Sequence, residues 1–430
     1  MKSVEGSKHV VREPPDDSRQ HFGKHHTLQA KKPELQPDSI PKTIEVKIKE
    51  TDNRPRHFMA AKSNHQWRIV HSEASTGWGG QERRIMAELV EFQQRGCDVA
   101  LIAPATSKIY ERAVAANITV QPAVFGKINF FLNLIRLARW LRQNQTQVLN
   151  THSSRDGWLI GIAGRLARVP LIIRTRHIDV DYPNRWLSRH AFTTLADHVL
   201  TTSDRITEHV QEIFHLPDDN ITTLPTGIDL NLFSEASEKA QLISGNGKEP
   251  LIGMVSVLRS WKGHVTFLDA AAQLKSAGCN FRFVIVGEGP MRQRIIEMIA
   301  ERFLGDVVTM VGHVENVSPV LRGLSVLAIP STKHEGVPQI GLQALAVKTP
   351  VVGSDVGGIP EIIRSGETGR IFPGGNATAL AAAIKETLSD IAQTNAMTTR
   401  GRALVESHHS LDAMLNKLDA LYHRCIPNPN

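Results

Sequence analysis

The sequence predicts an α/β protein of two doubly wound domains set face to face across a cleft. Three observations carry this. Apolar strands alternate with helices from Trp67 onward, the pattern lapses between Ser234 and Pro250, and a second series of the same kind then begins. Alternation of this sort specifies a parallel sheet covered by helices on both faces. At 430 residues the chain is also too long for one ordinary core.

Residues 1–65 are rich in Lys, His, Pro, Asp and Gln and poor in aromatics. Such a stretch buries too little apolar area to offset its ordering entropy, so it is expected to be mostly disordered, with a weak strand signal at Thr43–Ile48. The first series has strands at Trp67–His71, Asp98–Ala103, Gln147–Thr151, Leu171–Thr175 and His198–Thr201, and helices at Gln81–Arg95 and Ile128–Arg142. In the second of these helices Ile128, Phe131, Leu132, Ile135, Ala138 and Leu141 recur at helical spacing. Ser244–Pro250 is polar and turn-rich and marks the boundary. The second series has strands at Leu251–Val257, Phe281–Val286, Val307–Val311, Val326–Ile329 and Val351–Gly353, with a helix at Val265–Ser276. The chain ends in helix near Cys425 with no strand after it. We divide it into an extension (1–65), a first domain (66–240), a second domain (241–392) and a helical segment (393–430).

A hydrophobic share of 41% and a charged share of 22% are those of a soluble globular protein. No run of eighteen apolar residues is present, so no bilayer span is expected. Met1–Gly6 has no apolar core, so a secretory signal is not expected either. Cys97, Cys279 and Cys425 lie far apart without a CxxC pair, which reads as reduced thiols and a cytoplasmic home. The net charge of +7 calls for an acidic partner. Between Lys127 and Arg189, eleven basic residues face three acids, so this part of the first domain should carry a positive field. Nucleic acid is not the expected partner, since no basic recognition helix or stacking-aromatic motif is present.

Three stretches of the second domain suggest a site for a sugar nucleotide. Strand Leu251–Val257 runs into Leu258–His264, so Arg259 and Lys262 emerge at a strand's carboxyl end. Two cations there would neutralise a departing diphosphate without a metal, although either alone reads equally as a solvated charge. Val284–Pro290 is a buried strand closing in a glycine turn; Gly287 alone is best read as a tight turn. The third stretch is the most specific. Pro330–Ala346 ends a strand in a loop bearing Glu335 and Gly336, continues through Val337, and opens a helix at Pro338 and Gln339. The amides of that first turn suit a phosphate, Glu335 suits sugar hydroxyls, and Gln343 sits inside the helix within reach of a ribose. Gly357-Gly358 follows the next strand, beside the same cleft.

With these motifs in order, the chain resembles the family 4 retaining glycosyltransferases. The resemblance covers roughly residues 67–425 and rests on Gly79-Gly80-Gln81-Glu82, Thr226-Gly227-Ile228-Asp229, Lys262-Gly263, Gly287-Glu288-Gly289, Glu335-Gly336 and Gly357-Gly358-Ile359-Pro360-Glu361. It implies the GT-B architecture of two facing Rossmann-like domains, with a final helix crossing back to the first. It also implies a nucleotide-sugar donor held mainly by the second domain and an acceptor held mainly by the first. The glycine loop at Gly79-Gly80 would lie under the donor diphosphate. His152, just past a strand, resembles the family's cleft histidine that faces the donor sugar. Glu82, Arg176 and His177 are assigned to the acceptor side.

Two departures stand out. Where the family carries an arginine in a Gly-Arg-Leu sequence, this chain has Ser256-Val257-Leu258, and Arg259 is expected to supply the charge from a shifted position. The second glutamate of the family's pair is Gln343, which keeps hydrogen bonding but loses the charge. Asp179-Val180-Asp181 has the spelling of a manganese motif from another glycosyltransferase class, but it lies far in sequence from the diphosphate loops. It reads better as acids balancing Arg174 and Arg176, so no metal and no other cofactor is expected.

The expected activity is therefore retaining, hexosyltransferase-like transfer to an acceptor hydroxyl in lipopolysaccharide, glycolipid or other cell-surface glycan synthesis. Glycan or lipid-linked acceptors fit, with peripheral contact between the Ile128–Arg142 helix and the anionic inner face of the cytoplasmic membrane; a core-facing helix with a solvated rim explains that segment equally well. Two other readings stand beside it: a UDP-sugar 2-epimerase of the same architecture, and a catalytically silent sugar-nucleotide-binding protein, motivated by Val257 and Gln343.

Overall fold

The computed structural model describes residues 66–126, 130–178, 186–236, 238–242 and 249–427. The expectations for residues 1–65, for Asp179–Asp181, for Lys127 and Ile128, and for the turn at 244–248 lie outside these residues. The first sheet is built from β1 (Arg68–Ser72), β2 (Asp98–Ala103), β3 (Thr119–Pro122), β4 (Val148–Thr151), β5 (Leu171–Arg176), β6 (His198–Thr201) and β7 (Ile221–Thr223). All are parallel, in the order β3-β2-β1-β4-β5-β6-β7. The second sheet joins β8 (Leu251–Val255), β9 (Arg282–Val286), β10 (Val308–Gly312), β11 (Val326–Ile329), β12 (Val351–Ser354) and β13 (Arg370–Phe372), again parallel, in the order β10-β9-β8-β11-β12-β13. Two such sheets with helical crossovers are the expected pair of doubly wound lobes. Strand order reverses between β1 and β4 in the first sheet and between β8 and β11 in the second, and ligands of open parallel sheets bind at such reversals.

Three strands were not legible as strands. β3, β7 and β13 lie at sheet edges, are three or four residues long, and include half-buried positions, so they lack the continuous apolar run of a central parallel strand.

Both faces of the first sheet are covered. On one, Ile69, Leu101, Leu171 and Leu200 meet Ile85, Leu89 and Phe92 of helix Gly80–Gln94. Met414, Leu415, Leu418, Leu421 and Tyr422 of helix Leu411–Cys425 complete that core, so the chain's last helix belongs to its first lobe. Each such side chain contributes about 1.5–3 kcal/mol when fully buried. Trp67 Nε1 donates to Asp419 Oδ1 at 2.8 Å, which fixes the helix's register on the sheet. The chain crosses between lobes twice, side by side. Ile228 N donates to His409 O at 2.8 Å, and Leu411 N donates to Ile228 O at 2.9 Å. Ile228, Phe233 and Leu242 already pack in the second lobe's core, so this crossing lies earlier than the turn-rich stretch taken as the boundary.

The helix Phe130–Gln143 turns out differently from its expected orientation. Its core face is Leu134, Leu137, Ala138 and Leu141, while Phe131 (76% exposed), Leu132 (70%) and Ile135 (49%) point outward beside Arg136 and Arg139. Apolar residues occupy two stripes here, and spacing alone does not tell which one packs. Among the described residues, no helix is long and apolar enough to cross a membrane.

Candidate active site

The two reversal points open into one cleft of about 790 Å³, within the roughly 300–1,000 Å³ usual for ligand pockets. From the second lobe, the loop after β8 brings Lys262 and the loop after β11 brings Glu335. Gly263 makes their meeting possible. Its φ is +82°, and a Cβ there would lie 1.7 Å from Pro330 O, so only glycine lets the two loops dock this closely. Lys262 Nζ forms an ion pair with Glu335 Oε1, and Ser331 Oγ donates to the same oxygen at 2.6 Å. Glu335 is buried, so its charge needs such partners. Lys262, expected as a cation for a departing diphosphate, is thus an anchored one, with two of an ammonium's three donors left for a ligand.

Arg259 does not join it. Leu258 is fully buried, the extended backbone then turns its neighbour outward, and the exposed Arg259 lies 5.2 Å over the Trp261 ring, away from the residues that line the cleft. Val257 lines the cleft instead, without charge.

Gly287, Gly336, Val337, Pro338, Gln339 and Gln343 all line the cleft. Pro338 is the N-cap of helix Gln339–Ala346, whose first turn opens toward the cavity. Gly357-Gly358 was expected beside the cleft but supports it from behind. A Cβ on Gly357 (φ +59°) would fall 2.1 Å from Glu335 O, and Gly358 N donates to that same carbonyl at 3.2 Å.

On the first-lobe side, Trp78, Gly79, Gly80 and Gln81 line the cavity. Gln339 Nε2 donates to Gly80 O at 2.7 Å, a hydrogen bond from lobe to lobe. Glu82, expected on the acceptor side, is buried and accepts from Gly79 N at 2.8 Å. It holds the glycine loop at the helix start and does not line the cavity. Arg176 is likewise buried at the end of β5, outside the lining.

The two histidines differ in depth. His152 is only 2% exposed and does not line the cleft, whereas His177 does. His152 Nδ1 lies 2.9 Å from His177 Nε2, and its own Nε2 lies 2.9 Å from His71 Nδ1. Burial holds all three imidazoles below the usual range, and neighbouring Arg84 adds to the effect, so they are neutral at neutral pH.

Sequence reasoning missed several contributors. Glu361 accepts from Asp204 N at 3.1 Å and Arg205 N at 3.3 Å, tying the second lobe to a helix start of the first. Glu315 pairs with Arg112 at 3.0 Å and Arg83 at 3.7 Å, and the Arg112 guanidinium lies 4.2 Å over the Trp78 ring. Nothing in the sequence around Glu315 signals this, because its partners are more than 200 residues away.

Comparison with known proteins agrees with this architecture. Residues 78–232 match the model of "Glycosyltransferase Family 4", and residues 236–404 match "Glycosyl transferases group 1". The chain is 27% identical to the alpha-D-kanosaminyltransferase of Streptomyces kanamyceticus, over 55% of this chain and 63% of that one. It is 31% identical to the putative colanic acid biosynthesis glycosyltransferase WcaL of Salmonella typhimurium, over 48% and 51%. It thus spans about half to two thirds of these relatives. In fold it is similar to Anabaena Alr3699/HepE, solved with UDP and glucose, at a TM-score of 0.69 and 17% identity over 83% of this chain and 99% of that one. Two family models on the two lobes, two facing parallel sheets and the shared cleft converge: the chain belongs to the family 4 glycosyltransferases of GT-B architecture.

Proposed function

We propose that the protein is a retaining, metal-independent glycosyltransferase that moves a hexosyl unit from a nucleotide-sugar donor to an acceptor hydroxyl. The observation that carries this is the convergence of Lys262, Glu335, the start of helix Gln339–Ala346 and the Gly79-Gly80 loop on one cleft. As the bond from anomeric carbon to phosphate oxygen breaks, negative charge grows on the diphosphate. The Lys262 ammonium and the backbone donors of the helix start line the cleft and would stabilise it. Glu335 holds Lys262 in place, so the cation needs no reorganisation during reaction. The acceptor oxygen attacks from the face the phosphate leaves, its proton passes to a phosphate oxygen, and the anomeric configuration is kept. Gln343 lines the same pocket and is suited to ribose hydroxyls.

The likeness to a putative colanic acid glycosyltransferase supports cell-surface glycan synthesis as the setting, and the separated cysteines suit the cytoplasmic side. A thermal-shift screen that begins with UDP-sugars selects the donor. NMR of the product should then show the donor's anomeric configuration, and turnover should persist in EDTA. An inverted product, loss of turnover restored by manganese, or epimerised sugar formed from donor alone would each refute the scheme.

The outward face of helix Phe130–Gln143 supports peripheral contact with an anionic membrane. Phe131, Leu132 and Ile135 are exposed on the same helix as Arg136 and Arg139, the pattern of an interfacial helix. The protein should sediment with anionic vesicles at low salt and less so at high salt, and Phe131→Ser with Leu132→Ser should weaken this about tenfold. Equal sedimentation of the double variant would exclude the helix.

A further inference from the structure

We propose that Glu88, His71 and His152 form a buried relay that fixes the tautomer of His177, so that His177 meets a substrate hydroxyl in the cleft with its Nδ1 lone pair as acceptor. The word substrate rests on the glycosyl-transfer reading above; the relay itself is a property of the first lobe.

The sheet order creates the row. β1, β4 and β5 are neighbours, His71 lies in β1, His152 follows β4 and His177 follows β5. The rings of His71 and His152 are 12° from coplanar, those of His152 and His177 31°, and each junction is 2.9 Å between nitrogens. A hydrogen bond between two imidazoles needs one N–H and one lone pair. Since each ring is neutral and carries one proton, the three rings must all donate in one direction or all in the other.

The buried end of the row decides which. Arg84 Nε donates to Glu88 Oε1 at 2.6 Å, and Arg84 Nη1 donates to Leu224 O at 2.7 Å, so Glu88 is a paired, buried carboxylate. Its other oxygen, Oε2, has no hydrogen-bond partner and lies 3.8 Å from His71 Nε2, which has none either. A carboxylate oxygen only accepts. A lone pair on His71 Nε2 would set acceptor against acceptor in a buried site, whereas a proton there is attracted to the carboxylate. His71 Nε2 therefore carries the proton, and its Nδ1 accepts from His152 Nε2. His152 Nδ1 in turn accepts from His177 Nε2. The ring nitrogen of His177 that the relay does not use, Nδ1, is left as a lone pair. The residue's backbone is fixed as well, because His177 O accepts from Thr202 Oγ1 at 3.1 Å. His71, His152 and Glu88 act through His177 and are positioning residues.

Long-range proton–nitrogen NMR on the full chain with 15N-labelled histidine tests this. The His177 signals are assigned by their loss in His177→Asn. The wild type should show His177 with a protonated Nε2 and a bare Nδ1. His71→Asn, whose Oδ1 replaces the accepting Nδ1, should keep that state, while His71→Leu should release His152 and His177 to a mixture of tautomers. A proton on His177 Nδ1 in the wild type, or an unchanged His177 in folded His71→Leu, would overturn the relay. Should His71→Leu not fold, the wild-type spectrum alone decides. These spectra need no substrate, so they succeed or fail independently of the transferase reading. With donor and acceptor in hand, His71→Leu should lower kcat about tenfold and His71→Asn by less than about twofold, the scale of one net hydrogen bond.

Discussion

The two lobes share a fold but bring different chemistry to the cleft. The second lobe brings charge, Lys262 locked to Glu335 and both lining the cavity. The first brings Arg83, Arg84 and Lys108 together with His177, the cleft-facing end of a row of histidines whose pKa values burial has lowered. If the site handles a diphosphate on one side and a hydroxyl on the other, as proposed above, the fixed Lys262 and the neutral His177 suit the two tasks. A developing negative charge is best met by a fixed cation, and a hydroxyl is best oriented by a neutral group of defined donor and acceptor sense. Similar strand order thus says little about chemistry; the few residues on the loops that line the cleft decide it.

The comparison breaks most easily at Lys262. Lys262→Ala removes the ammonium paired with Glu335 and should cut turnover by about 10²–10³ while circular dichroism stays unchanged. A rate within twofold of wild type would mean that the charge is not used. A smaller effect comes from acidity. Folded His198, His264 and His409 are pushed down to about 4 by burial, and His71, His152 and His177 are lowered too. Unfolded imidazoles near 6.5 bind protons that the folded protein refuses, so stability is full above that value and is lost as pH falls toward 4. Glu73, pushed up to about 7 by burial and by Asp156, acts oppositely between roughly 4.5 and 7, as do the raised Asp156, Glu91 and Glu361. Six histidines against four acids leave a net loss. The Tm should be lower at pH 5 than at pH 7 by about 5 °C. A Tm that rises on acidification would reverse the balance.

Much of the architecture was legible because central parallel strands are unbroken apolar runs, as in Leu149, Ile172 or Val352. The pairing of Lys262 with Glu335 was half legible: both residues stood at strand ends, but their contact depends on Gly263 docking against Pro330 across 67 positions of sequence. Arg259 misled because one residue of parity, set by the burial of Leu258, turns it away. The histidines misled for a related reason. His152 and His177 occupy equivalent places after neighbouring strands, and the sequence holds no measure of how deep a ring sits. Glu82 was assigned to the acceptor side and Glu361 stood in a motif without a role of its own, yet each spends its carboxylate on backbone amides. Side-chain oxygens used as scaffolding are indistinguishable, by residue type, from those kept for substrate.

The position of the final helix has a consequence for biogenesis. Met414, Leu415, Leu418 and Tyr422 fill a face of the first sheet, so the lobe made first on the ribosome is the last to be finished. Its nascent form exposes the apolar ground between Trp67, Leu89 and Phe92 throughout synthesis of the other lobe, a window in which chaperone capture competes with aggregation. Vectorial translation and domain order therefore run in opposite directions in this chain.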